Sequence, residues 1–364
     1  MYNMRNLFSF IFSLTILFWV CGSCSDKLGE TEDIYRPWSK EQAWSWYKKH
    51  PYRAGCNFQP STAINQIEMW QTSTWDPATI DRELGWAEEL GFNVMRVYLS
   101  SVVWQHEADS FKHHIDEYLT ISEKHGIKTL FVFFDDCWNK ESAIGPQPVP
   151  RPGIHNSGWV RDPAVSLRAD TVSLFPILES YVKDIMTTFK DDDRIWMWDL
   201  YNEPGNNGHH ETSLPLLRNV FRWARECRVS QPITAGVWYF GRPELNIFQI
   251  ANSDILTYHN YGDKRDHTTW IDFLCTHDRP MVCTEYMARR NDSRFHNILP
   301  MLKQRGIAAI NWGLVAGKTN TIFAWSEPMP DREEPPVWFH DIFCRDHTPF
   351  DSTEVELIKS IMLN

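Results

Sequence analysis

Eight times along this chain a short apolar run gives way to a stretch of helical period, and that alternation leaves few folds open. The apolar runs are residues 52–58, 93–99, 128–134, 195–201, 233–238, 255–259, 281–285 and 308–312. Helical stretches follow at 80–90, 115–125, 174–189, 214–229, 244–251, 268–276, 294–305 and 352–362. The runs are apolar on both faces, as strands covered on both sides must be. Eight strands, each followed by a helix, predict an α/β fold of the (β/α)8 barrel type. The chain has 364 residues, and no linker or shift of composition divides 39–364. Barrels of about 250 residues or more fold as one unit, so a single barrel domain is expected there.

The start of the chain has a different character. Arg5 precedes an almost wholly apolar run, 7–20, which is short of the ~20 residues that span a bilayer. Gly22, Ser23, Cys24 and Ser25 follow. Residues 1–24 resemble a bacterial lipoprotein signal with Cys24 as the lipidated first residue, although Cys21 stands where Leu is usual. An ordinary cleaved signal or an uncleaved anchor is the alternative. Residues 25–38 read as a polar tether. Ser39 and Gln42 form a capping box that opens a short helix. The expectation is an exported protein, periplasmic or on the outer membrane or cell surface, touching membrane only through a lipid anchor. The six cysteines after the signal offer no CxxC pair and are expected to be structural thiols.

Composition excludes several classes of function. A net charge of −11 and the lack of a basic run argue against nucleic acid as partner. No HExxH, Walker, GxGxxG or GxSxG motif occurs, and the doublets His113-His114 and His209-His210 lack metal spacing. Neither metal nor organic cofactor is expected. Eighteen Trp residues are many for this length. Most belong in a core, but flat aromatic faces also line sugar clefts, which points to a carbohydrate partner.

Long connections follow the third and eighth runs, at 135–170 and 313–351. Both belong at the C-terminal face, where barrel enzymes carry their sites. Two acidic motifs end strands there. Trp198-Asp199-Leu200-Tyr201-Asn202-Glu203-Pro204 closes the fourth run, and Val282-Cys283-Thr284-Glu285-Tyr286 the seventh. Asn-Glu-Pro after strand four with Glu at the end of strand seven resembles clan A of the glycoside hydrolases, and within it family 5. The resemblance runs through the whole barrel. It implies that Glu203 is the acid/base and Glu285 the nucleophile of a retaining β-glycosidase. The chemistry agrees. Cleaving an acetal needs a proton for the leaving oxygen and a negative group facing the oxocarbenium-like carbon, which two carboxylates about 5–5.5 Å apart supply. The bland alternatives are a helix N-terminal acid for Glu203 and a salt-bridged loop acid for Glu285.

The same resemblance implies further roles. Asn202 matches the residue that binds the sugar 2-hydroxyl, Arg96 the partner of the nucleophile, and Trp312 the aromatic floor beneath the cleaved sugar. His259 and Tyr261 match a substrate ligand and a donor to the nucleophile. Each has a structural alternative: a turn Asn, an ion pair elsewhere, packing. Where family 5 commonly carries a His after strand three, this chain has Asp135, Asp136 and Trp138. Either carboxylate is a candidate grip for a terminal sugar, or a loop charge. Trp75, Trp138, Trp159, Trp238 and Trp325 fall in connections predicted on this face, and no more than half are expected to line subsites. Two rivals share the fold: a catalytically inactive glycan-binding surface lipoprotein, and a transglycosylase using the same site.

Overall fold

All eight predicted strands form, and they make one parallel sheet in the order β5-β4-β3-β2-β1-β8-β7-β6. They are β1 Ala54–Asn57, β2 Val94–Tyr98, β3 Lys128–Asp135, β4 Ile195–Asn202, β5 Ile233–Thr234, β6 Leu256–His259, β7 Met281–Tyr286 and β8 Ala308–Trp312. This computed structural model describes residues 34–363. The expected signal, the lipidation candidate Cys24 and the first part of the tether lie outside the described residues.

The ends of the sheet meet through one bridge. Val237 pairs with Tyr258, its N–H donating to Thr257 O at 2.9 Å while its carbonyl accepts from His259 N at 3.0 Å. The sheet is thus a (β/α)8 barrel. Strand five is much shorter than the expected 233–238. Between Thr234 and Val237 side chains take over the ladder: Ala235 N–H donates to Ser253 Oγ, and Gln249 Nε2 donates to Gly236 O. Those backbone groups are satisfied without a neighbouring strand.

Nearly every strand residue is buried, so the inward and outward faces divide by period two. Outward residues such as Met95, Val97 and Phe131 pack on the helix layer. Inward residues Val94, Leu130, Val132, Met197, Val282 and Ile310 form a separate cluster inside the barrel. Helix α1, Lys40–Lys48, sits against this cluster through Trp46 and Tyr47. Ser39 caps it by accepting from Gln42 N–H. Tyr47 Oη donates to the carbonyls of Met281 and Gly306 and accepts from Ala308 N, which pins the helix to the strand starts. The tether's last residue, Trp38, is held by Asp254 and Arg279.

The helix expected at 115–125 begins much earlier, at Ser101, and runs to Lys124. Ser100 caps it, and Glu107 interrupts it with non-helical φ −138° and ψ 40°. That break frees the Glu107 carboxylate to accept from Thr72 N and Oγ1. The polar stretch before residue 115 hid this first half from a periodicity reading.

Candidate active site

Two backbone irregularities put the acidic motifs into the barrel mouth. Alternation from inward Val282 would send Glu285 to the helix side. The register of β7 shifts between Cys283 and Tyr286, and Glu285 pairs with His259 while Cys283 pairs with Tyr258. The extra residue turns Glu285 inward, as a bulge does. Glu203 follows β4 with φ +45°, a left-handed conformation unusual for a residue with a side chain. Trp138 after β3 and Met287 after β7 share such positive φ, at 70° and 77°. Strain of this kind concentrates where geometry serves a site.

The result is a cluster of three. Nδ1 of His259 lies 2.8 Å from Glu203 Oε1 and 3.4 Å from Glu285 Oε2. One ligand atom from each of the three falls within 4.8 Å of the others. Burial pushes His259 down to about 4, so the ring is neutral and its Nδ1–H donates. No sequence spacing announced this cluster of two carboxylates and an imidazole. Arg96 opposes a cation there, because its guanidinium already neutralises Glu285 at 2.7 Å.

Glu285 is the better supported charge. Its Oε1 accepts from Arg96 Nη1 at 2.7 Å and from Tyr98 Oη at 3.0 Å, and its Oε2 from Tyr261 Oη at 2.7 Å. Arg96 itself is fully buried and ties together five residues: Asn57, Tyr98, Asp199, Asn202 and Glu285. Burial raises the Glu285 carboxyl above its ordinary value, while His259, Arg96 and Tyr261 work against that rise. Glu203 has as many partners but no cation among them. Its Oε1 meets His259 Nδ1 at 2.8 Å, and its Oε2 receives two hydrogen bonds, from the Cys137 thiol at 3.3 Å and from the Asn206 amide. Burial raises its carboxyl too, with those two hydrogen bonds opposing. What separates the two is the Arg96 guanidinium, 2.7 Å from Glu285, which favours the ionised form of that carboxyl.

A cavity of about 730 Å³ opens over this pair, within the range of small-ligand sites. Asn202, Glu203, His259, Tyr261, Glu285, Trp312, Asp135, Trp138 and Trp238 all line it. Arg96 stands behind Glu285 and Asn202 and does not. Asp135 reaches the lining, but its carboxylate is occupied by Cys137 N, Asn202 Nδ2 and Trp159 Nε1, and burial raises it to about 6. It orients Asn202 rather than offering a free bidentate grip. Asp136 requires a correction: it turns away from the cavity. Its oxygens are taken by Tyr201 Oη, Gly205 N, Ser213 Oγ and Arg168, four partners that shape the turn after Glu203. Trp75 also lies elsewhere, stacked on Trp70 and His114. Trp159 and Trp325 line the cavity with Trp138 and Trp238, so four of the five loop tryptophans do, more than expected.

Sequence reasoning passed over several residues. Tyr98 reads as a β-strand aromatic, yet period two from Arg96 places it on the same inward face. Cys137 reads as a small core thiol, and only the fold carries it to Glu203. His155 and His340 sit in the two long connections without any spacing signal, and both line the cavity.

No family model matches this sequence, and no curated protein does. Solved structures do match. An exo-β-1,4-mannosidase from Opitutaceae bacterium strain TAV5 superposes with a TM-score of 0.59 at 16% identity, over 86% of this chain and 60% of that longer one. A GH5_18 protein from Streptomyces cattleya, solved as a variant with Manβ1-4GlcNAc, gives 0.57 at 11% identity over 85% and 80% of the two chains. A GH5-4 broad specificity endoglucanase from Clostridium longisporum gives 0.57 at 11% identity over 88% and 98%. The likeness is one of fold. It is the fold of family 5 glycoside hydrolases, the family the strand-end motifs resemble.

Proposed function

We propose that the protein is a retaining β-glycoside hydrolase related to family 5, with Glu203 as acid/base and Glu285 as nucleophile. The observation that carries this reading is the approach of the two carboxylates: ligand atoms of Glu203, His259 and Glu285 lie within 4.8 Å of one another. Inverting enzymes separate their carboxyl groups by about 6.5–9.5 Å to admit a water, and retaining ones by about 5–5.5 Å.

The steps follow from the partners. Glu285 Oε attacks the anomeric carbon while the glycosidic C–O bond breaks, and the leaving oxygen takes the proton held by Glu203. Water then attacks the glycosyl ester from the face the leaving group vacated. Glu203, now a carboxylate, accepts the water's proton, and Glu285 departs as carboxylate. Arg96, Tyr98 and Tyr261 stabilise the charge that returns to Glu285. Asn202 is oriented by Arg96 and Asp135 toward the 2-hydroxyl, and Trp312 forms the floor. His259 bridges both carboxylates and keeps Nε2 free for substrate. Export through residues 1–24, lipidation at Cys24 and a place on the bacterial surface belong to the same proposal, as does a barrel domain over 39–364.

The names of the structural neighbours include β-mannosidase and endoglucanase, so aryl β-mannosides and aryl β-glucosides are the first substrates to assay. Proton NMR of the first-formed sugar should give the β-anomer before mutarotation, and a 2-fluoroglycoside should label Glu285 alone. An α-anomer as first product would falsify double displacement.

A further inference from the structure

We infer that the cavity is closed at its glycone end, so that the enzyme removes one terminal sugar at a time from the non-reducing end. This deepens the glycosidase reading and rests on its assignment of Glu203 and Glu285. The leaving oxygen must lie beside the proton on Glu203, so the rest of the substrate leaves the cavity past Glu203. That rim is open. Asn207 and Asp266 are exposed there, and Tyr239 beside Trp238 is 50% exposed.

The opposite end is walled by buried side chains. His155, Asn156, Trp159 and His340 line it, each at most 5% exposed, and Trp325, 37% exposed, packs on the two His rings at its rim. They come from the connections after β3 and β8, which are stitched together. Asn156 N donates to Thr319 O at 2.7 Å, Met329 N to Gly153 O at 3.0 Å, and Asn320 Nδ2 to Arg151 O at 2.9 Å. Gly153 makes the approach possible: at φ +64°, a Cβ there would lie 1.9 Å from Met329 O. A polysaccharide crossing the barrel mouth would have to continue over β1 and β2. Among the described residues, none from the connections after those strands lines the cavity. Behind Trp159 and Trp312 a void of only about 20 Å³ remains, room for a water and not for a pyranose ring.

The walled end also has the chemistry of a chain terminus. Nδ1 of His340 lies against Met287 O and Nδ1 of His155 against Phe323 O, so both rings donate there and present Nε2 as an acceptor. His340 Nε2 and Asn156 Oδ1 are buried with no protein partner. Buried acceptors are costly until a donor meets them. A non-reducing terminal sugar brings the extra hydroxyl that an internal residue has spent in its linkage.

The test uses the full enzyme with β-1,4-mannohexaose and β-1,4-glucohexaose labelled with 18O at the reducing end, beside the aryl β-mannoside and β-glucoside. Unlabelled monosaccharide should be the only first product, and the label should stay in a pentaose, then a tetraose. A hexaose blocked at its non-reducing end by a 4,6-O-benzylidene group should fall to background. Early di- and trisaccharides, or cleavage of the blocked hexaose, overturn the inference while leaving the glycosidase reading intact. Failure on every aryl glycoside removes that reading and the inference with it.

Discussion

The lower and upper halves of the barrel interior are built from the same strands and are equally buried, yet their chemistry is opposite. On β2 the inward residues run Val94, Arg96, Tyr98, and on β4 Met197 is followed two residues later by Asp199. One period of the pleat, about 6.6 Å, carries the interior from an apolar cluster to an ion-paired layer. The lower layer needs only volume and shape. The upper layer survives because each charge has a partner in place: Arg96 spans Asp199 and Glu285, both within 3.0 Å. Function is housed where the fold supplies charge compensation from several strands at once, and stability where it does not have to.

Substitutions in the two layers should therefore separate rate from stability. The largest effect is expected at the rim of the upper half. Glu203→Ala should lower the rate by about 10²–10⁴ on substrates with poor leaving groups and far less on activated aryl glycosides, whose departure needs little proton help. Equal losses on both would remove Glu203 from the proton-donor role.

Arg96→Met tests the boundary between the layers. It leaves Asp199 and Glu285 buried without their cation, so a loss of about 3–5 kcal/mol in denaturant unfolding is expected. It should also move the acid limb of the rate–pH profile upward. In the proposed mechanism Glu285 acts ionised; its carboxyl is already raised by burial, and removing a cation raises it further. An unmoved limb with activity intact would break the assignment.

Leu130→Ala probes the lower half alone. Leu130 is fully buried in the apolar cluster, so about 2–5 kcal/mol of stability should go, with kcat at 25 °C nearly kept in the fraction that stays folded. A loss of kcat as large as that of Glu203→Ala would mean that the layers are coupled and the comparison fails. The smallest effect is expected from Tyr261→Phe, which deletes one of three donors to Glu285. The acid limb should rise and the plateau rate fall about tenfold, the worth of one hydrogen bond.

Much of this was legible in one dimension. The eight apolar runs are contiguous and need no partner to be recognised, because a strand buried on both faces writes its burial directly into composition. Asn202-Glu203-Pro204 and Glu285 stand at the ends of runs four and seven, and parallel strands in a barrel bring such ends to one mouth. The misses share a different origin. Asp135 and Asp136 are adjacent carboxylates, and nothing local says that one faces the cavity while the other holds the turn after Glu203. Cys137 looks like any small buried thiol until β4 places Glu203 beside it. Strand five stops early because Gln249 and Ser253, from the next helix and its C-terminal cap, satisfy its backbone.

Sequence alone determined the strand count, the order of the elements and the two acidic positions, since each depends on residues near one another along the chain. Tertiary structure alone decided which way Asp136 and Glu285 point, what Arg96 bridges, and that the connections after β3 and β8 meet beside the cavity. Those outcomes depend on a one-residue bulge and on contacts between segments about 170 residues apart, such as Arg151 with Asn320. Pairings at that range are set by the packed barrel and leave no period in the sequence.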